Sequence, residues 1–143
     1  MKRITQTTKS IKEHEIKRNW HLIDMSGKVL GRSIPQIVQY LVGKHKVNYV
    51  PYLDSGDYVV VINTRHLVLT GKKAQAKTYG QYSGYPGGLL VRSFERMLKE
   101  NPETLVRHAV SGMLPKNKTR DTRLARLYIY QDDNHPYKEK FTK

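Results

Sequence analysis

The chain has 143 residues, 38% of them hydrophobic and 27% charged, enough for one modest core beneath a large polar surface. Lys and Arg number 26 against 12 Asp and Glu, a formal net charge of +14; such an excess points to a polyanionic partner, because cations that neutralise phosphates release condensed counterions. Cysteine is absent, which excludes disulfides, thiolate metal sites and cysteine nucleophiles, and with no apolar run near the roughly 18 residues of a membrane span and no secretory-type start, a cytoplasmic address is expected.

Residues 1–18 carry Lys2, Arg3, Lys9, Lys12, Lys17 and Arg18 with hardly an apolar residue, so a basic N-terminal arm is expected there. Trp20 to Asp24 reads as a first strand, followed by a turn around Gly27. Ile34, Ile37, Val38, Leu41 and Val42 recur at the spacing of one buried helical face. Pro35 is tolerable only in a first turn, so Ser33 is the expected N-cap, and Gly43 the expected end. Tyr58 to Ile62 is a β-branched run, apolar on both faces, and is expected to be a central strand covered on two sides, as parallel strands are.

Leu67–Thr70 and Lys77–Tyr82 flank the basic stretch 71–76 and suggest two antiparallel strands, a basic hairpin arm. Ser83 to Gly88 holds too many breakers for a regular element and is a loop. A helix is expected after Ser93, burying Phe94, Met97 and Leu98, and a second from Asn101-Pro102 to Gly112, with Leu105, Val106, Ala109 and Val110 on its inner face. Lys116, Lys118, Arg120, Arg123 and Arg126 then share eleven positions with one acid, Asp121, in a stretch expected to start as an exposed loop. Leu127 to Tyr130 is the last strand, and strands interleaved with helices make an α/β domain.

Between Asp57 and Glu95 there is no carboxylate, while Arg65, Lys72, Lys73, Lys77 and Arg92 all occur, with Tyr79, Tyr82 and Tyr85 among them. Lysines meeting phosphates beside aromatic rings that stack on exposed bases is a pattern of RNA recognition; ordinary strand tyrosines are the plainer reading. Gly84, Gly87 and Gly88 could let backbone N–H groups approach a phosphate, though their spacing fits neither a dinucleotide fingerprint nor a P-loop. Asp54 and Asp57 could be argued as nuclease carboxylates, but Asp-Ser-Gly-Asp suits a turn better, with Asp54 bonding backbone two residues on. The six histidines show no metal-ligand spacing, and His45, between Lys44 and Lys46, reads as a phosphate-facing donor.

Several of these stretches together resemble the bacterial type of large-subunit ribosomal protein thirteen. The similarity is carried by Trp20 with Asp24, Gly27-Lys28, Leu30-Gly31-Arg32, Gly43-Lys44-His45-Lys46, the block Asp54 to Asn63, and Leu69-Thr-Gly-Lys-Lys73. Ser83-Gly-Tyr-Pro-Gly-Gly-Leu89 and Gly112-Met-Leu-Pro-Lys116 are its most specific motifs, with Leu127, Tyr130 and His135-Pro136 following. Tyr52, Tyr82 and Tyr137 stand where histidine is common in that family, and Arg120-Asp121 replaces its usual Gly-Arg.

The resemblance implies a three-layer α/β/α fold with a mainly parallel four-stranded sheet, as a single domain over 19–137 with a short basic tail over 138–143. It implies a non-enzymatic constituent of the large ribosomal subunit, monomeric there, that binds large-subunit ribosomal RNA, supports early assembly and has ribosomal proteins as neighbours. No cofactor, metal, membrane or small-molecule substrate is expected. The candidate RNA contacts are Arg32, Lys44, His45, Lys46, Lys72, Lys73, Lys77, Tyr79, Tyr85, Gly87, Gly88, Arg92, Lys116, Lys118, Arg120, Arg123, Arg126 and His135. A nucleic-acid-processing enzyme and a free regulator of messenger RNA are the competing readings.

Overall fold

A computed structural model describes residues 11–141; the start of the expected basic arm and the last two residues of the tail lie outside them. Three parallel strands, β1 (Trp20–Asp24), β2 (Tyr58–Ile62) and β5 (Leu127–Ile129), form a sheet in the order β1-β2-β5. Trp20 pairs with Tyr58, and Val60 with Tyr128. Val59, Val60 and Val61 of β2 are fully buried, so this is the central, doubly covered strand expected of its β-branched run.

One face of the sheet packs on α1 (Leu30–Val42) and α4 (Pro102–Met113). Ile23, Val59, Val61, Leu127 and Ile129 from the strands join Ile34, Ile37 and Leu41 of α1 and Val106 and Val110 of α4 in one core. The other face is covered by the segment after β5 instead of a further helical layer. Trp20 stacks on Tyr58 at 4.5 Å and on Tyr137 at 4.8 Å, with Phe141 edge-on at 6.4 Å. Such offset rings combine a large apolar area with favourable quadrupole contacts. Among the described residues the main sheet thus has three strands, not four, and its third layer is an aromatic segment.

One element boundary differs from expectation. α1 starts at Leu30, not after Ser33, because Leu30 is 3% exposed and its N–H donates to the Val68 carbonyl across a parallel bridge between Val29 and Val68. Ser33 lies inside the helix, its hydroxyl donating to the Val29 carbonyl, and Pro35 follows, removing the bond to Gly31, which is exposed. α4 begins as read, with Asn101 at the cap and Pro102 in the first turn, and α3 (Phe94–Glu100) is capped by the Ser93 hydroxyl, which accepts from the Arg96 N–H.

Of the two strands expected for the hairpin, the second, 77–82, is present, but 67–70 is not its partner. β3 (Thr78–Tyr82) pairs antiparallel with β4 (Leu89–Ser93), and 83–88 is its tip. Leu67 is drawn into the core, which takes 67–70 out of contention, while Gly84 and Gly87, at φ 89° and 74°, supply the left-handed turn that closes the chain. Within the basic stretch 71–76, Lys73–Ala76 forms one helical turn, α2.

Candidate nucleic-acid interface

The register of β3 on β4 sets Tyr79 opposite Arg92 and Gln81 opposite Leu90 on one face of the hairpin. That face looks across a hollow of about 380 Å³ toward Met97 of α3 and Thr104 and His108 of α4. Lys77 places its Nζ 5.3 Å from the Tyr79 ring centre, a cation–π distance, and Tyr79 meets His108 edge-on at 5.6 Å. On the far side of His108 a groove of about 520 Å³ is lined by Arg32 at the start of α1, Lys73 of α2 and Lys77. No carboxylate lines either hollow. Among the described residues no acid lies within salt-bridge distance of Arg32, Lys73, Lys77 or Arg92.

Met113 connects this groove to a third hollow, bounded by Lys44 and Pro115, beside which Lys116 and Lys118 stand exposed. At the hairpin tip Tyr85 is 76% exposed, Gly87 is exposed, and Gly88 is packed against the Ser83 side chain, where an added Cβ would stand 2.0 Å from its Oγ. Lys72 is exposed beside the α2 turn.

Four of the remaining candidates, His45, Lys46, Arg123 and Arg126, gather around the two aspartates of the 54–57 loop. This loop lies against the C-terminal end of α1, backbone to backbone. A Cβ on Gly56 would stand 1.8 Å from the Leu41 carbonyl oxygen, and Gly43, at φ 82°, faces Ser55 in the same way. The contact carries Asp54 to α5 (Arg120–Ala125). Its carboxylate accepts from Arg126 at 2.5 Å and Arg123 at 3.4 Å, and Arg123 is 2% exposed. Burial alone would push Asp54 up, but the Arg126 and Arg123 guanidiniums outweigh it and hold the carboxyl below the usual range.

Asp57 is fully buried. One oxygen takes the Lys46 ammonium and the Asn19 N–H; the other has His21 Nε2 at 2.9 Å and His45 Nε2 at 3.0 Å. Burial opposes ionisation here too, yet Lys46, the Asn19 N–H and His21 together keep the carboxyl low. Lys46 also donates to the carbonyls of Lys17 and Ser55.

The tertiary structure therefore divides the candidates. His45 and Lys46 serve Asp57, and Arg123 and Arg126 serve Asp54, which binds guanidiniums and not backbone two residues on. Arg120 bonds to the carbonyl and hydroxyl of Ser111. His135 is 7% exposed, its Nδ1 accepting from the Tyr137 N–H. The stretch 116–126 is an exposed loop only at its start; Arg120, Arg123 and Arg126 recur every third residue because they lie on one helical side, a spacing that could have announced α5. His108 was missed: it lies on the exposed side of α4, and only the tertiary fold sets it between Tyr79 and the Arg32 groove.

A family model described as Ribosomal protein L13 matches residues 18–136, a span that holds every candidate from Arg32 to His135. The chain belongs to the ribosomal protein L13 family. Curated relatives named large ribosomal subunit protein uL13 agree in length and sequence. That of Thermotoga maritima is 48% identical over 132 residues, covering 92% of this chain and 89% of the relative. That of Syntrophotalea carbinolica is 46% identical and covers 92% of both, and that of Chloroflexus aggregans is 48% identical and covers 88% of both. Membership makes the chain a ribosomal protein and not an enzyme. Asp54 and Asp57, the two carboxylates weighed for nuclease chemistry, are each paired with cations, which suits scaffolding.

Proposed function

We infer that this chain is a structural constituent of the large ribosomal subunit that binds large-subunit ribosomal RNA and supports early assembly, in the cytoplasm and beside other ribosomal proteins. The observation that carries the reading is the convergence of Arg32, Lys73, Lys77 and Arg92 with Tyr79 and His108 on a surface without a carboxylate. Such a surface suits a folded RNA, whose phosphates take the cations while an exposed base stacks on a ring. Lys44, Lys72, Lys116 and Lys118 extend it along the same flank, and Tyr85 with Gly87 and Gly88 extends it along the hairpin. His45, Lys46, Arg120, Arg123, Arg126 and His135 act by holding that surface in place. The RNA-binding unit is assigned to 19–137, with 1–18 and 138–143 as basic extensions.

The test is binding of the purified chain to large-subunit ribosomal RNA across a salt series, with co-sedimentation during subunit reconstitution. Affinity that falls steeply with salt and incorporation into the large subunit are expected. Failure to bind at near-physiological salt, or binding without salt dependence, would overturn the reading.

A further inference from the structure

The histidines at 21 and 45 lie in separate segments, one in β1 and one just after α1, and Asp57 precedes β2. The fold brings their ligand atoms within 4.8 Å of one another. Both Nε2 atoms point at the same carboxylate oxygen, at 2.9 and 3.0 Å. The rings are held in that attitude: His21 lies flat on Tyr40 of α1 at 4.0 Å, and His45 stands edge-on to His21 at 5.4 Å and to Tyr40 at 5.1 Å. Asp57 is buried, while each histidine side chain is 24% exposed, so the three donors form a cup with a built floor and a solvent-facing mouth.

We propose that His21, His45 and Asp57 form a binding site for a zinc-class divalent ion. Two imidazoles and one carboxylate are the donor set of three-ligand zinc sites, in which the fourth position is left to solvent. Two nitrogen donors select Zn²⁺, Co²⁺ or Ni²⁺ over Mg²⁺ and Ca²⁺, which take oxygen ligands. An ion in the cup would be met by the Nε2 lone pair of each imidazole in its neutral form, with the ring proton on Nδ1. Lys46 holds the other carboxylate oxygen and orients the group, as partners of a ligating carboxylate do. Its positive charge, held against the same carboxylate, weakens the site. The role is a clasp: one ion would tie β1, the segment after α1 and the start of β2 together at the edge of the fold. Sequence spacing could not announce it, since each ligand comes from a different segment.

The experiment uses the untagged full chain, stripped with chelator, titrated with Zn²⁺ and with Co²⁺ in excess Mg²⁺ by calorimetry, with the melting temperature followed alongside. One equivalent should bind, with a rise in melting temperature and a visible Co²⁺ band typical of nitrogen and oxygen ligands. His21→Gln keeps a donor to Asp57 but is not an imidazole ligand, and should weaken binding at least tenfold, as should His45→Gln; His66→Gln should leave Zn²⁺ binding unchanged. In the unsubstituted chain, two imidazole proton resonances should move on Zn²⁺ addition, which tests the geometry even where a variant folds poorly. No binding below millimolar Zn²⁺, or equal binding by the His21 and His45 variants, would overturn the proposal.

Discussion

The cations around the 54–57 loop and those around His108 are the same residue types put to opposite uses. Arg123 and Arg126 are nearly inaccessible and share one carboxylate, and Lys46 with its neighbours shares another. Arg32, Lys73, Lys77 and Arg92 face open hollows that no carboxylate lines. A buried guanidinium is stable only while its partner stays, because the cost of removing a charge from water is offset by that partner alone. A solvated cation costs the fold nothing and remains available to an external anion. The lesson is that net charge identifies the class of partner, whereas burial decides which charges meet it.

The largest expected effect comes from breaking the inner set. Asp54→Ala strands Arg123 and Arg126 and should destabilise by about 3–5 kcal/mol, measured by denaturant unfolding. The same pair gives a pH signature with a definite sign. Because the folded carboxyl is held below its ordinary value, the stability it contributes is full above pH 3.8 and is lost as pH falls through the lower folded value. In Asp54→Asn that acid-side loss should shrink, and an unchanged acid transition would show that Asp54 is not the paired group it is taken to be.

Next is the backbone contact on which the inner set depends. Gly56→Ala drives a methyl into the Leu41 carbonyl, and forced backbone movement of this kind should cost about 1–3 kcal/mol. Thermal unfolding of the variant checks it; a stability equal to the parent would mean that the loop does not rest on α1.

The outer set should respond in the other observable. Replacing Arg32, Lys73 and Lys77 together by Gln should shift stability by only about 0.5 kcal/mol per site. If each meets a phosphate, the slope of log K against log salt for ribosomal RNA should flatten by about 2–3. An unchanged slope would remove the groove from the RNA surface, and a collapse of stability would erase the distinction between the two sets. The smallest effect belongs to the exposed pair Arg65–Asp132, at 3.3 Å and more than half exposed on both sides, where a double-mutant cycle should return about 0–1 kcal/mol.

Periodicity and composition alone determined a good deal. The burial of α1, α3 and α4 follows from their apolar spacing, and the place of β2 at the centre of the sheet follows from four consecutive β-branched residues, Val59 to Ile62. The excess of Lys and Arg and the motifs at 83–89 and 112–116 pointed to the ribosomal family that the comparisons establish. These signals are local, or are sums over the chain, and so survive in one dimension. What the tertiary structure alone decided is pairing: β3 with β4 and not with 67–70, Trp20 with Tyr137, Arg123 with Asp54, His21 and His45 with Asp57. The partners lie far apart in sequence, and whether a charge ends in a core or in solvent depends on which distant surface closes over it.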